Sequence, residues 1–171
     1  MKSVRDLDLP GKRLFLRVDF NVPLDGGRVT DRTRIEETIP TVRLAADTGA
    51  RVICASHLGK PKGKVKPELS LAPVAVAFAE ALGHSVRFVE ECVGPEADSA
   101  AGKLEPGEVL LLENLRFHAG EESNNPEFAK DLAALADVYV DDAFGASHRA
   151  HASVVGVPGF LPEKGAGLLL E

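Results

Sequence analysis

Short apolar runs alternate with longer helical patterns along the chain, and this alternation limits the folds that the sequence can adopt. Buried strands are predicted at residues 14–18, 52–55, 86–89, 109–112 and 138–140. Helices are predicted between them, at residues 34–48, 71–82, 95–103 and 126–136. This alternation is typical of a parallel sheet covered by helices on both faces. The sequence therefore predicts an α/β fold, a three-layer α/β/α doubly wound parallel sheet of the Rossmann-like kind.

Local signals mark the ends of the first helix and raise a question about the end of the chain. Thr30 or Asp31 is predicted to cap the helix and Gly49 to end it, whereas Pro40 inside the pattern predicts a kink. Residues 158–171 are rich in Gly and Pro and finish on three consecutive leucines. Such a terminus is expected to leave apolar surface uncovered.

Size and composition exclude several classes of protein. The 171 residues predict a single domain spanning positions 1–171. A net charge of −6 argues against a general nucleic-acid binder, and two cysteines are too few for a disulfide framework. No apolar run reaches the roughly 18 residues of a membrane span, and no secretory signal opens the chain. A monomeric protein of the cytoplasm is therefore expected.

Polar and basic residues gather just after the predicted strands. In an open parallel sheet, ligands bind outside the carboxyl ends of the strands. The residues that follow the strands at this edge are Asp19, Phe20, Asn21, His57, Leu58, Gly59, Lys60, Glu113, Asn114, Arg116, Asp141, Asp142, His148, Arg149 and His151. The topology predicts that the basic ones converge on one face, together with Arg34 at the start of the first helix.

A convergence of Arg and His in an acidic protein indicates a small anionic ligand. The planar fork of an arginine suits phosphate or carboxylate, and helix N-termini on the same edge add N–H donors. Asp19 and Asn21 can accept from hydroxyl groups of a ligand. The mixture matches a multiply anionic, hydroxylated small molecule such as a sugar-acid phosphate.

Other interpretations of the same residues stay open at this point. Each loop arginine taken singly is more often a solvated charge or a salt-bridge partner. The pair Asp141 and Asp142 can hold a metal or accept a phosphate, although pairing with Arg149 is favoured. His148 and His151 lack further ligands at zinc spacing, so no metal site is expected. No glycine-rich nucleotide loop is present in the sequence.

Taken together and in order, the strand-end segments resemble the phosphoglycerate kinase family. The segments are RVDFNVP at 17–23, TDRTRI at 30–35, SHLG at 56–59, LENLRF at 112–117, DAFG at 142–145 and HRAH at 148–151. The resemblance runs from about residue 3 to the end of the chain. It implies the N-terminal lobe of a normally two-lobed kinase, the family's nucleotide site lying in a C-terminal half that has no counterpart here.

The resemblance also implies a ligand and a set of roles. The ligand is 3-phosphoglycerate or 1,3-bisphosphoglycerate, in reversible phosphoryl transfer with ADP or ATP in glycolysis. Arg34 is the catalytic residue. His148, His151 and Asp142 support the residues that contact the ligand and do not contact it themselves. The other substrate-binding residues are Asp19, Phe20 and Asn21 near the glycerate, and His57, Leu58, Gly59, Lys60, Arg116 and Arg149 near the non-transferring phosphate. Mg-ATP or Mg-ADP belongs to the C-terminal lobe, so this chain alone is expected to bind no cofactor and to catalyse no turnover.

One residue departs from the family's pattern. Lys60 stands where the family usually has arginine, which keeps the charge and loses the bidentate fork. We therefore expect a single phosphate contact or looser ordering there. The alternative functions are a non-enzymatic, flavodoxin-like anion-binding or signalling module using Asp141 and Asp142, and a folded fragment with a silent site.

Overall fold

A seven-stranded parallel sheet forms the centre of the molecule. The computed structural model describes residues 1–171. The strands are β1 (Lys2–Ser3), β2 (Arg13–Arg17), β3 (Leu24–Asp25), β4 (Arg28–Val29), β5 (Arg51–Ala55), β6 (Arg87–Val89), β7 (Val109–Leu112), β8 (Val138–Asp141) and β9 (Glu163–Ala166). The order across the sheet is β1-β9-β8-β2-β5-β7-β6, while β3 and β4 form a separate antiparallel hairpin. The five predicted strands are confirmed, because each apolar run overlaps an observed strand and their ends agree to within two residues.

Five α-helices accompany the strands, and the longest is α1. They are α1 (Thr33–Asp47), α2 (Ala72–Leu82), α3 (Pro95–Gly102), α4 (Ala119–Glu122) and α5 (Pro126–Ala133). The N-cap position of α1 is Arg32, which makes no side-chain capping bond, so the prediction of Thr30 or Asp31 as the cap is wrong. Asp31 lies one residue earlier, and its carboxylate accepts from the Thr33 N–H at 2.9 Å. Gly49 follows the end of the helix with a left-handed φ of +94°. The helix continues through Pro40, which is exposed. None of the helices combines the length and apolar character that crossing a membrane would demand.

The sheet separates two hydrophobic cores, and alternate residues of each strand point into opposite cores. On β2, Leu14 and Leu16 belong to the core covered by α1 and α2, whereas Phe15 belongs to the core covered by α3 and α5. Because the central strands are buried on both faces, their residues are mostly apolar. This arrangement confirms the doubly wound, three-layer Rossmann-like fold.

The C-terminal segment is part of the sheet, so the expectation of an uncovered apolar end is wrong. Strand β9 lies between β8 and β1 and pairs in parallel with both. The following turn packs against α1, where Thr41 accepts from the Leu168 N–H at 3.0 Å. Asp142 holds the next residue by accepting from the Leu169 N–H at 2.9 Å. Leu168 itself packs on the core.

The ionisation of Asp142 makes the packing of the C-terminal turn sensitive to pH. Burial raises the pKa of its carboxyl to about 6, above the roughly 3.9 of an exposed aspartate. The folded chain therefore binds the proton more tightly than the unfolded chain, and the free energy of unfolding falls as pH rises between these two values. Asp142→Asn keeps an acceptor for Leu169 but cannot ionise. It should be more stable than the wild type by about 3 kcal/mol at about pH 7.5, with the difference vanishing below about pH 3.

Urea unfolding at several pH values measures this difference directly. Asp131→Asn is the matched control, because Asp131 is exposed on α5. A stability gain from Asp142→Asn that stays constant as the pH falls would contradict the titration of this group.

Candidate anion-binding site

The site lies at the carboxyl edge of four adjacent strands. Strands β8, β2, β5 and β7 are neighbours, and all run in the same direction. The chain leaves β2 toward β5 but leaves β8 toward β9, so the direction of winding reverses between β2 and β8. Ligands of doubly wound folds bind outside the carboxyl ends of the strands at such a reversal.

Four basic residues meet at this edge, and we call them the basic cluster: His57, Arg116, Arg149 and His151. Burial lowers the pKa of His57 to about 2, helped by the charges of Arg17, Arg116, Arg149 and His151. Burial also lowers the pKa of Arg116, and the charge of Arg149 adds to this effect. His151 is likewise buried with a lowered pKa. These mutual influences require proximity, so the predicted convergence holds for these four residues.

The arginines of the basic cluster have no carboxylate partner. None of the nine ion pairs of the protein includes Arg116, Arg149 or the neighbouring Lys60. Arg116 is 4% exposed, and its Nη1 donates to the Gly59 carbonyl at 3.0 Å. The Arg116 Nε and the His151 Nδ1 are buried without any hydrogen-bond partner. Because an unsatisfied buried polar atom costs about 1–3 kcal/mol, such atoms point to a ligand.

Arg34 lies in the first turn of α1, at the same edge of the sheet but apart from the basic cluster. Its Nη1 donates to both carboxylate oxygens of Asp19, at 3.2 and 3.3 Å, and to the Asn21 carbonyl at 3.0 Å. The side chain is 51% exposed and borders two cavities of about 130 and about 410 Å³. Its Nη2 and Nε have no protein partner. Asp19 thus holds the guanidinium by one nitrogen and leaves the others available.

Gly59 connects the two sides of the site. Its N–H donates to the Asn21 side-chain oxygen at 3.0 Å, and its carbonyl accepts from Arg116. The residue has a φ of +61°, and a Cβ here would lie 2.8 Å from a methyl group of Leu69. The left-handed backbone therefore favours glycine at this connection. The Asn21 oxygen accepts this one bond and retains a second lone pair, and its amide N–H₂ group makes no hydrogen bond, so both groups remain available to a ligand.

Two of the residues singled out from the sequence, Phe20 and Leu58, are part of the framework that supports the site. Phe20 is buried in the core with its ring edge-on to Phe78 at 4.9 Å, and its N–H donates to Ser56. Leu58 is buried, with its N–H bonded to Asn114. Lys60 and His148 are exposed and form neither hydrogen bonds nor ion pairs with the basic cluster.

The favoured pairing of the Asp141–Asp142 segment with Arg149 is wrong. Asp141 accepts from the Ala143 N–H at 2.9 Å, and Asp142 accepts from Leu169. Both carboxylates are therefore engaged by backbone groups, and neither forms an ion pair with Arg149. The C-terminal turn covers Asp142, which leaves Arg149 free for another anion.

One residue of the site was missed from the sequence, namely Arg17 at the end of β2. Its side chain is fully buried, and its guanidinium lies 2.9 Å from His57 Nδ1, 2.7 Å from Ser153 Oγ and 3.8 Å from Glu121 Oε2. The signal that could have found it is its position, because Arg17 is the one charged residue inside the apolar stretch at 14–18.

The fold and this edge define a class of protein: a Rossmann-like α/β protein with an unpaired basic cluster at the topological reversal. The comparison with known families identifies it more closely. The profile described as "Phosphoglycerate kinase" matches residues 4–171. The chain belongs to the phosphoglycerate kinase family.

Relatives and solved structures agree with this assignment. The chain is 61% identical to the phosphoglycerate kinase of Moorella thermoacetica over 169 residues, covering 99% of this chain and 43% of that protein. It is 57% identical to that of Thermomicrobium roseum over 171 residues, covering 100% of this chain and 43% of that protein. The phosphoglycerate kinase structure from Coxiella burnetii superposes with a TM-score of 0.88 at 40% identity, covering 98% and 42% of the two chains. The chain thus spans less than half the length of these relatives.

Proposed function

We propose that this chain is the phosphoglycerate-binding lobe of a phosphoglycerate kinase, and that it binds 3-phosphoglycerate or 1,3-bisphosphoglycerate. The observation that supports this most strongly is the basic cluster, whose arginines lack carboxylate partners in a protein of net charge −6. A cluster of like charges without a counterion favours a multiply charged anion. Membership of the family supplies the chemical identity of that anion.

The basic cluster holds the phosphate that is not transferred. Arg116 and Arg149 offer guanidinium groups, which bind phosphate oxygens through charge-assisted hydrogen bonds. Lys60 adds one point charge at the exposed margin, consistent with its lack of a fixed partner. The neutral His57 imidazole supplies a further contact without adding charge.

The glycerate and its reacting carboxyl group lie toward Arg34. Asn21 presents its amide N–H₂ group to the glycerate, and Asp19 accepts from its hydroxyl. In the ATP-forming direction, the bond between phosphorus and the C1 acyl oxygen breaks while an ADP phosphate oxygen bonds to that phosphorus. The carboxylate of 3-phosphoglycerate leaves with the bonding electrons. The free nitrogens of Arg34 stabilise the negative charge on the phosphoryl group in transit, which is the main catalytic requirement of such transfers.

A nucleotide-binding lobe is the required partner. The chain carries no glycine-rich nucleotide loop, and its relatives are more than twice as long. Mg-ADP or Mg-ATP is held by that lobe, and closure of the two lobes aligns donor and acceptor while excluding water. This chain alone therefore binds the acceptor and leaves it unreacted.

A non-enzymatic signalling module based on Asp141 and Asp142 is the weaker candidate. Such a module needs accessible carboxylates to receive a metal or a phosphoryl group. Asp142 is fully buried and bonded to the C-terminal turn. This burial is the reason that we do not favour it.

Replacing Arg116 by alanine tests the proposal. The variant should bind 3-phosphoglycerate about 10- to 100-fold more weakly, because it loses a charged donor to the phosphate. Titration of the ¹⁵N-labelled chain, followed through backbone amide shifts, measures the dissociation constant. Arg28→Ala removes the same charge from the exposed β3–β4 hairpin and should bind like the wild type. Amide signals at Arg34, Arg116 and Arg149 that do not move with saturating ligand would refute the proposed function.

A further inference from the structure

Arg17 and His57 form a buried contact that the proposed phosphate binding does not itself explain. We propose that Arg17 is a positioning residue that fixes His57 in the tautomer with its proton on Nε2, so that His57 presents a hydrogen-bond donor to the ligand phosphate. The inference rests on the proposed function only for the identity of that ligand. The tautomer itself is a property of the ligand-free protein.

The tautomer follows from the donor inventory of the two side chains. A guanidinium has only donors, so the 2.9 Å contact from Arg17 Nη2 requires His57 Nδ1 to accept. The low pKa of His57 keeps the imidazole neutral at physiological pH. A neutral imidazole that accepts at one nitrogen carries its proton on the other, which here is Nε2.

Arg17 acts through His57 and does not reach the ligand. Its side chain is 0% exposed, and each of its three nitrogens is already engaged. Nε donates to Ser153 Oγ at 2.7 Å, Nη1 donates to the Val18 carbonyl, and Nη2 donates to His57. The two remaining N–H groups are buried with the rest of the side chain, so they do not reach a phosphate bound at the edge of the sheet. Positioning is therefore the role that its geometry allows.

A directional network fixes the guanidinium in place. Ser153 accepts from Arg17 and donates its hydroxyl proton to Glu121 Oε2 at 2.5 Å. Glu121 also accepts from the Ser153 N–H at 2.9 Å, and its Oε2 lies 3.8 Å from Arg17 Nη2. Glu121 thus balances the buried charge of Arg17, which a guanidinium in the interior requires. The network joins β2 to α4 and to the turn Ala152–Gly156.

The buried network therefore determines whether His57 Nε2 donates or accepts a hydrogen bond where it contacts the ligand. The oxygens of a phosphate dianion are acceptors only, so a proton on Nε2 gives an attractive contact. The opposite tautomer would aim the Nε2 lone pair at the same oxygens. Without Arg17, the imidazole is free to populate both tautomers and to rotate, which weakens the contact.

Imidazole ¹⁵N chemical shifts measure the tautomer directly in the ligand-free chain. In the wild type, we expect His57 to show a protonated Nε2 and an unprotonated Nδ1 across the pH range in which the fold persists. A protonated Nδ1 in the wild type would overturn the inference, and this measurement needs no variant to fold. Because it is made without ligand, it is independent of whether 3-phosphoglycerate binds.

Two variants at position 17 separate positioning from a merely structural role. Arg17→Met removes every donor at similar length and should give mixed tautomers, with 3-phosphoglycerate binding weakened about tenfold. Arg17→Lys retains a positively charged donor group and should keep the Nε2–H signature of the wild type. Arg13→Met is the matched control, since Arg13 lies at the other end of β2 and pairs with Asp137. A folded Arg17→Met variant with an unchanged His57 tautomer would also overturn the inference.

Discussion

Replacing Glu121 by alanine should lower the free energy of unfolding by about 3–5 kcal/mol, the largest effect expected of any single substitution considered for this chain. Glu121 is fully buried and is the only carboxylate within 4 Å of the buried Arg17 guanidinium. Its removal leaves an uncompensated charge in the interior. It also removes the acceptor of both the Ser153 N–H and the Ser153 hydroxyl.

Three comparisons isolate the cause of this loss. Glu122→Ala removes the adjacent exposed carboxylate and should change stability by no more than about 0.5 kcal/mol. Glu121→Gln keeps an acceptor for Ser153 while removing the charge, so it should lie between the wild type and the alanine variant. The double variant Arg17→Met/Glu121→Ala should lose less than the sum of its single variants, because the unpaired charge is gone. Additive losses in urea unfolding would show that the two residues do not interact.

This network connects the stability of the lobe with the proposed contact to phosphate. Arg17 needs Glu121 and Ser153 to be tolerated in the interior, and His57 needs Arg17 to hold its tautomer. A substitution at Glu121 therefore acts on the site without touching its ligand-facing surface. Glu121→Gln, which is expected to fold, offers a way to weaken the phosphate contact while Arg116 and Arg149 remain intact.

The central strands were predictable because burial on both faces leaves an unbroken apolar run. Residues 52–55 and 109–112 carry that signal without interruption. Strand β9 carries no such signal, because its sequence EKGA is polar and contains glycine. Its conformation is determined by its neighbours β8 and β1, with Gly165 allowing the close approach of the Lys2 carbonyl. Tertiary pairing of this kind lies outside any local pattern.

The position of the site was predictable, whereas its internal pairing was not. The carboxyl ends of parallel strands share one edge, so His57 and Arg116 had to meet once the sheet was recognised. Arg17 was missed because its partners are distant in sequence, Ser153 being 136 residues away. The pairing of Asp142 with Arg149 was wrong because a backbone N–H of the C-terminal turn, invisible in the side-chain pattern, satisfies the carboxylate.

Gly167→Ala should lower the free energy of unfolding by about 3 kcal/mol, by forcing the C-terminal turn away from the sheet. A Cβ at this position would overlap the Asp142 carboxyl group and lie 2.6 Å from the Asp142 Cβ. Asp142 cannot simply move aside, because it is fully buried and accepts from Leu169. The φ of Gly167 is −73°, so the cost arises from overlap and not from an unfavourable backbone conformation.

Gly159→Ala is the matched control in the same C-terminal segment. A Cβ there meets no atom within 4 Å, and the backbone is not left-handed. The control should be neutral or more stable by up to about 1 kcal/mol, since alanine reduces the conformational entropy of the unfolded chain. Hydrogen exchange should accelerate at the Leu168 and Leu169 amides only in Gly167→Ala, because their acceptors are Thr41 and Asp142. If the two variants unfold at the same urea concentration, the close packing of Gly167 on Asp142 does not contribute to the stability of the lobe.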